Sequence, residues 1–252
     1  MSQIKFLNTV HSTNSYLDEF VRSSENYFEN LSTRISEFYS VYALEQNFGR
    51  GQQGNAWHSE VGKNILFSTI IYPNILPENQ FELNKAVSLG VYDFVKSYIN
   101  DDFLKIKWSN DIYYNDKKLA GILIENTIIG NKILYSIAGI GLNLNQIGFP
   151  DNLPNPISLN NITGKQYNLQ ESIENLLSSL KKHISMIDNS SSQLNIDYHN
   201  SLYRLNEIHK YIYNKKTIEA AIIGVNDKGF LKLKTIEEQE IECAFKEIRY
   251  II

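Results

Sequence analysis

Residues 46–58 read QNFGRGQQGNAWH, with Gly49, Gly51 and Gly54 set around Arg50, Gln52 and Gln53 and leading into Trp57. Glycines at this density let the backbone take positive φ and approach a ligand closely, and the freed amides can line an anion-binding concavity. Arg50 adds a permanent positive charge. The spacing is formally G-x-G-x-x-G, which in a doubly wound dinucleotide fold needs a helix opening at the glycines and an acidic residue about 20 positions on. Neither is present: NAWHSEVGKN, residues 55–64, has no helical apolar period, and the region downstream is IIYPN. A kinase-type glycine loop would require its lysine and aspartate motifs, which are also missing. The stretch therefore reads as a loop outside both folds, either a plain surface loop or one wrapped round an anion.

On either side lie apolar runs of strand character, FYSVYALE at 38–45 and NILFSTIIYP from Asn64, so the loop is a strand-to-strand excursion. Upstream, a short strand about residues 4–6 leads into HSTNSYLDEFV. There Ser12, Thr13 and Asn14 open a helix whose apolar positions are Tyr16, Leu17, Phe20 and Val21. Three capping types in a row have two readings: an N-cap with spare hydroxyls, or a helix N-terminus that holds a polar ligand head.

Downstream, the spacing predicts a scaffold helix over 78–99. It is followed by KIKWSNDIYYNDKKLAGILIEN, short strands with a tight turn at Asn115 and Asp116, and by KILYSIAGIGLNLN after a turn at Gly130 and Asn131. These strands are expected at the centre of the sheet. Lys118 sits among Leu119, Ala120, Ile122 and Leu123, so it is either half of a solvated Lys117–Lys118 pair or a charge carried toward the core to meet an anion. Residues 148–167, rich in Pro, Asn and Gly, read as a long loop able to close over a ligand. Helices are expected over 168–187 and 193–205. Five short alternating strands from Ile208 then predict a small barrel, with a boundary that separates residues 1–207 from 208–252.

Composition narrows the class. A formal charge of −4 and a pI near 5.8 argue against broad nucleic-acid binding, which requires a basic face. The single cysteine, Cys243, can form no internal disulfide, and MSQIKFLNTVHSTN lacks the basic and apolar regions of a signal peptide, so the cytoplasm is the expected compartment. No apolar run approaches the roughly 20 residues of a membrane span.

Taken together, HSTN at 11–14, QNFGRGQQGNAW at 46–57, KWSND at 107–111, KKLAGILIE at 117–125 and GIGLNLN at 139–145 resemble the biotin protein ligase family in order and spacing. The resemblance covers essentially the whole chain and implies an α+β fold. A mixed sheet packed by helices, similar to the class II synthetases, would be followed by a small C-terminal SH3-like β-barrel. It implies activation of biotin with ATP to biotinyl-5'-AMP and transfer of biotin to a lysine of a biotin carrier domain, such as that of acetyl-CoA carboxylase.

On that resemblance Ser12, Thr13, Asn14 and Gln46 hold biotin's ureido ring, while Arg50, Gly51 and Gln52 wrap its carboxylate and the adenylate phosphate. Trp57 covers the nucleotide, and Lys118 bridges carboxylate and phosphate. Gly121, Gly139 and Gly141 give the ligand room. Asn110 and Asn143 meet polar groups of the ligands, and Asp111 positions or deprotonates the incoming lysine. Magnesium is expected with the nucleotide, without assigned protein ligands, and the chain is expected as a monomer or homodimer. Two positions depart from the family pattern: Gln52 stands where arginine is common, and Ser109, where proline is common, is expected to loosen the turn before Asp111. A lipoate ligase is the alternative enzyme; it shares the fold but not the G-R-G-x-x-G loop followed by tryptophan. A DNA-binding biotin sensor would need an N-terminal winged-helix domain, which is not expected because the chain starts within about ten residues of its first motif. A third possibility makes the barrel the working part as a binding module, although its lysines are offset by Glu237, Glu238, Glu240 and Glu242.

Overall fold

The structure is a computed structural model that describes residues 3–23, 35–99 and 101–252. Seven strands form one sheet in the order β1-β2-β3-β7-β6-β5-β4: β1 (Ile4–Val10), β2 (Ser40–Gln46), β3 (Ile65–Ile71), β4 (Leu104–Lys107), β5 (Asp111–Tyr114), β6 (Lys117–Ile129) and β7 (Lys132–Leu142). Only β1 and β2 run parallel, so the sheet is mixed, as expected. β7 is central, but β4 and β5 lie at the edge rather than the centre, and β1 is longer than the expected residues 4–6.

Strand alternation gives the sheet two different faces. On one, Phe67, Ile122, Ala138 and Ile140 pack beneath α2 (Phe81–Lys96) and α4 (Leu169–Ile184) in the main core. On the other, Ile70 and Ile137 meet Leu17 and Val21 of α1 (Thr13–Ser23) in a smaller cluster. Farther along that second face the side chains shrink to Ser68, Gly139, Gly141 and Gly121, which lie on adjacent strands in register. The functional cavity forms above them.

The α2–α4 crossing depends on Gly90. A Cβ there would lie 2.9 Å from Leu180 Cδ2 and 3.0 Å from its Cα. Gly90→Ala is expected to destabilise the protein by about 1–3 kcal/mol through overpacking, read as a fall in melting temperature; an unchanged melt would refute so close a crossing. Elsewhere in the interface His183 Nε2 lies 3.1 Å from Asp93, and that contact holds the Asp93 carboxyl below its ordinary value.

Residues 148–167 are not loop throughout. They contain α3 (Leu159–Thr163), started by a capping box in which Ser158 Oγ accepts from Asn161 N at 3.0 Å and Asn161 Oδ1 accepts from Ser158 N at 3.2 Å. The expected helix over 168–187 divides into α4 and α5 (Met186–Asn189). The next, α6 (Ser191–Asn200), stops before the expected residue 205. Beyond it the chain covers the β4 edge: Ile106 N donates to Ser201 O at 2.8 Å, and Tyr203 N to Ile106 O at 2.9 Å.

The C-terminal strands β8 (Ile208–Tyr213), β9 (Lys216–Val225), β10 (Leu231–Thr235), β11 (Glu240–Cys243) and β12 (Ile248–Tyr250) form a wholly antiparallel five-stranded sheet, the small SH3-like unit. Its apolar residues Tyr211, Ile222 and Leu233 belong to the same continuous core as the first sheet. Trp108 Nε1 donates to Gly229 O at 3.0 Å across the junction.

Candidate active site

A cavity of about 400 Å³ opens over the small-residue face of the first sheet. All of the site residues expected from sequence line it except Asn143. Asn143 is buried away from the cavity, where its Nδ2 donates to Ile157 O at 3.0 Å. It anchors the segment before α3 rather than facing a ligand.

The helix start contributes a hydrogen-bonded cluster. Ser68 Oγ contacts Thr13 Oγ1 at 2.7 Å and Asn14 Oδ1 at 2.6 Å, and Gln46 Oε1 accepts from Thr13 N at 2.7 Å. Asn14 Nδ2 donates to Glu125 Oε2 at 2.8 Å. Ser12, Thr13 and Asn14 are all buried at the cavity wall, and Thr13 and Asn14 bond residues of neighbouring strands there. Ser68 was detectable as a polar residue inside the fully buried run ILFSTII. Glu125, at the end of KKLAGILIE, carried no signal of its own.

The glycine loop leaves β2 and folds back on itself. Trp57 N donates to Gly49 O at 2.9 Å and Gly51 N to Asn55 O at 2.6 Å, around a 3-10 turn at Gln52–Gly54. A Cβ on Gly49 would sit 2.5 Å from Trp57 O, so this close return admits only glycine. Arg50 pairs with Glu125. Gln52 Oε1 and Trp57 Nε1 are buried without hydrogen-bond partners among the described residues.

Gly121, Gly139 and Gly141 line the cavity, and side chains of the protein also come close to them. A Cβ on Gly139 would lie 2.1 Å from Asn14 Oδ1, and one on Gly141 2.5 Å from Trp57 Cε2. The glycines let Asn14 and the Trp57 indole press against the sheet.

Lys118 reaches this face through an irregularity. In the β5–β6 ladder Ile112 pairs with Ala120 but Tyr113 pairs with Lys118, so Leu119 is an unpaired extra residue. That bulge places Lys118 on the same face as Gly121, which lies opposite Asp111. Lys118 Nζ then contacts Asp111 Oδ1 at 2.8 Å and lies 5.8 Å from the Trp57 ring centroid. Of the two readings of Lys118, the charge carried toward the interior is the one found. The turn before Asp111 is also firm: Ser109 Oγ donates to Asn110 Oδ1 at 3.2 Å, and Asn110 bonds Ile122 from both its side chain and its backbone.

One wall was not anticipated. Residues 245–250, before and within β12, bring Phe245, Lys246, Arg249 and Tyr250 to the cavity, and Lys107 joins them from β4. Burial pushes the Lys107 ammonium below its ordinary value.

The profile of the Biotin/lipoate A/B protein ligase family matches residues 7–143. The chain is 27% identical over 228 residues to Bifunctional ligase/repressor BirA of Bacillus spizizenii, covering 88% of this chain and 69% of that protein. It is 29% identical over 165 residues to the Biotin--[acetyl-CoA-carboxylase] ligase of Paracoccus denitrificans, covering 63% and 68%. Its fold is similar to that of the biotin protein ligase from Aquifex aeolicus in complex with biotin and ATP, with a TM-score of 0.79 at 24% identity over 100% of both chains. The matched span holds the helix-start cluster, the glycine loop and the bulged strand that carries Lys118, and on that match the chain belongs to the Biotin/lipoate A/B protein ligase family.

Proposed function

We propose that the protein activates biotin with ATP to biotinyl-5'-AMP and transfers biotin to a lysine of a carrier domain. The observation that carries this reading is the convergence, in one cavity, of the helix-start cluster, the Arg50 loop and the Lys118–Asp111 pair. Joining a carboxylate to a triphosphate requires two anions to be held in line, which calls for fixed cations and preorganised donors in a shielded site. Residues 12–14 and Gln46 would hold the neutral polar head. Arg50 and Lys118 would meet the carboxylate and phosphate, and Asn110 would meet the nucleotide. Asp111 would receive the proton of the acceptor amine. The units 1–207 and 208–252 would act together, because both line the cavity.

Magnesium would enter on the nucleotide's phosphates. Among the described residues no three His, Cys, Asp or Glu side chains come together, and Asp111 is the one carboxylate in the wall of the main cavity. Phosphate oxygens and water would supply most of the ion's ligands, the usual arrangement for nucleotide-bound magnesium. Among the described residues no helix is long and apolar enough to cross a membrane.

Incubation with ATP, a carrier domain and either labelled biotin or labelled lipoate tests the reading. Label on the carrier from biotin and not from lipoate is expected; the reverse would assign the lipoate branch.

Glu125 would compete with the ligand's anions for Arg50. Both partners of that pair are 43% exposed, so it is worth little and readily exchanged. Glu125→Gln is expected to tighten binding of a non-hydrolysable biotinyl-adenylate analogue by up to about fivefold, measured by calorimetry. Weaker binding would mean that Glu125 supports the site through Asn14 instead.

A further inference from the structure

The two cations expected to do the electrostatic work are already paired, Arg50 with Glu125 and Lys118 with Asp111. Further positive charge lies along the same cavity wall. Lys107, Lys246 and Arg249 line it there, and none of them pairs with a carboxylate among the described residues. Lys107 is the most enclosed. Its Nζ lies 3.0 Å from Tyr113 Oη and 4.5 and 4.8 Å from the ring centroids of Tyr113 and Tyr250. Those contacts hold the ammonium in place; burial acts against its charge most, the nearby Asp111 carboxylate favours it, and Lys118 and Arg204 oppose it. Asp111 is already bonded to Lys118, so it compensates this half-buried cation only in part, and a further anion would complete it.

We propose that Lys107 is a further catalytic residue, whose ammonium binds the β- and γ-phosphates of the nucleotide and stays with pyrophosphate as it leaves. This rests on the adenylation reading above. In that step a biotin carboxylate oxygen bonds to the α-phosphorus as the bond from that phosphorus to the bridging oxygen breaks, and pyrophosphate departs with the electron pair. Negative charge therefore grows on the leaving group, away from Arg50 and Lys118. In the β4–β5 ladder Lys107 is the direct cross-strand partner of Asp111, which fixes it beside the reaction centre.

The test is calorimetric titration of the full chain with inorganic pyrophosphate. Lys107→Met keeps the apolar stem between the two rings, Lys107→Gln is a second neutral variant should the first not fold, and exposed Lys117→Ala is the control. Binding is expected to weaken by roughly 10- to 100-fold in either neutral variant, the scale of one hydrogen bond to a charged group, and to stay unchanged in the control. Adenylate formation should slow in parallel, while transfer from preformed biotinyl-adenylate should not. A folded neutral variant that binds pyrophosphate like the wild type, or a wild type that binds none, overturns the proposal. A wild type that binds pyrophosphate through Lys107 but never forms biotinyl-adenylate would instead remove the ligase reading and leave the anion site standing.

Discussion

Lys118→Ala should slow formation of biotinyl-adenylate by roughly 100- to 1,000-fold, the range for losing one preorganised electrostatic contact in a shielded site. Biotin itself should bind almost as well, since its ureido head is assigned to residues 12–14 and Gln46. The geometry places the effect toward the upper end. Lys118 Nζ is 2.8 Å from Asp111 Oδ1, so truncation removes a cation and also leaves Asp111 without its salt-bridge partner where two anions must meet. The bulge at Leu119 makes the position specific, because it alone turns Lys118 toward the cavity while Ala120 and Ile122 stay in the core. A neighbouring lysine cannot substitute: Lys117 is exposed at the strand entrance. Pyrophosphate release in a single turnover without carrier measures the step. A rate within about threefold of wild type would take Lys118 out of the chemistry.

The sequence carried most of the site because its cues were local. The glycine spacing, the three polar residues at a helix start and the turn at Asn115 and Asp116 each act within a few residues, and each is found where expected. What escaped depends on contacts between distant segments. Glu125 matters because β6 carries it beside Asn14, 111 residues away in sequence. Residues 245–250 reach the cavity only because the C-terminal sheet docks on the first through Trp108 and Gly229. Gly139 and Gly141 were legible as places without side chains, yet nothing in the sequence said that Asn14 and Trp57 would come close to them. Asn143 misled for the same reason: its pattern position is right, but register turns its amide to Ile157 O.

Asp111→Asn separates the two half-reactions. If the carboxylate takes the proton from the carrier's amine, the substitution should slow transfer from preformed biotinyl-adenylate by roughly 100-fold or more, the usual worth of a positioned base. Adenylate formation should be preserved or modestly faster, because the neutral amide no longer competes with the incoming carboxylate and phosphate for Lys118 Nζ. Asp111 can serve both ends of the cycle: only Oδ1 is engaged by Lys118, at 2.8 Å, and its side chain remains 20% exposed, open to an amine arriving from solvent. The pair therefore predicts coupling. Lys118→Ala in the Asp111→Asn background should cost adenylation less than Lys118→Ala alone, since no orphaned carboxylate is left behind. The four proteins of this double-mutant cycle can be compared first by pyrophosphate release without carrier, then by label transfer to carrier from preformed adenylate. Should Asp111→Asn abolish adenylation while sparing transfer, Asp111 organises the nucleotide end of the site, and the proton goes elsewhere.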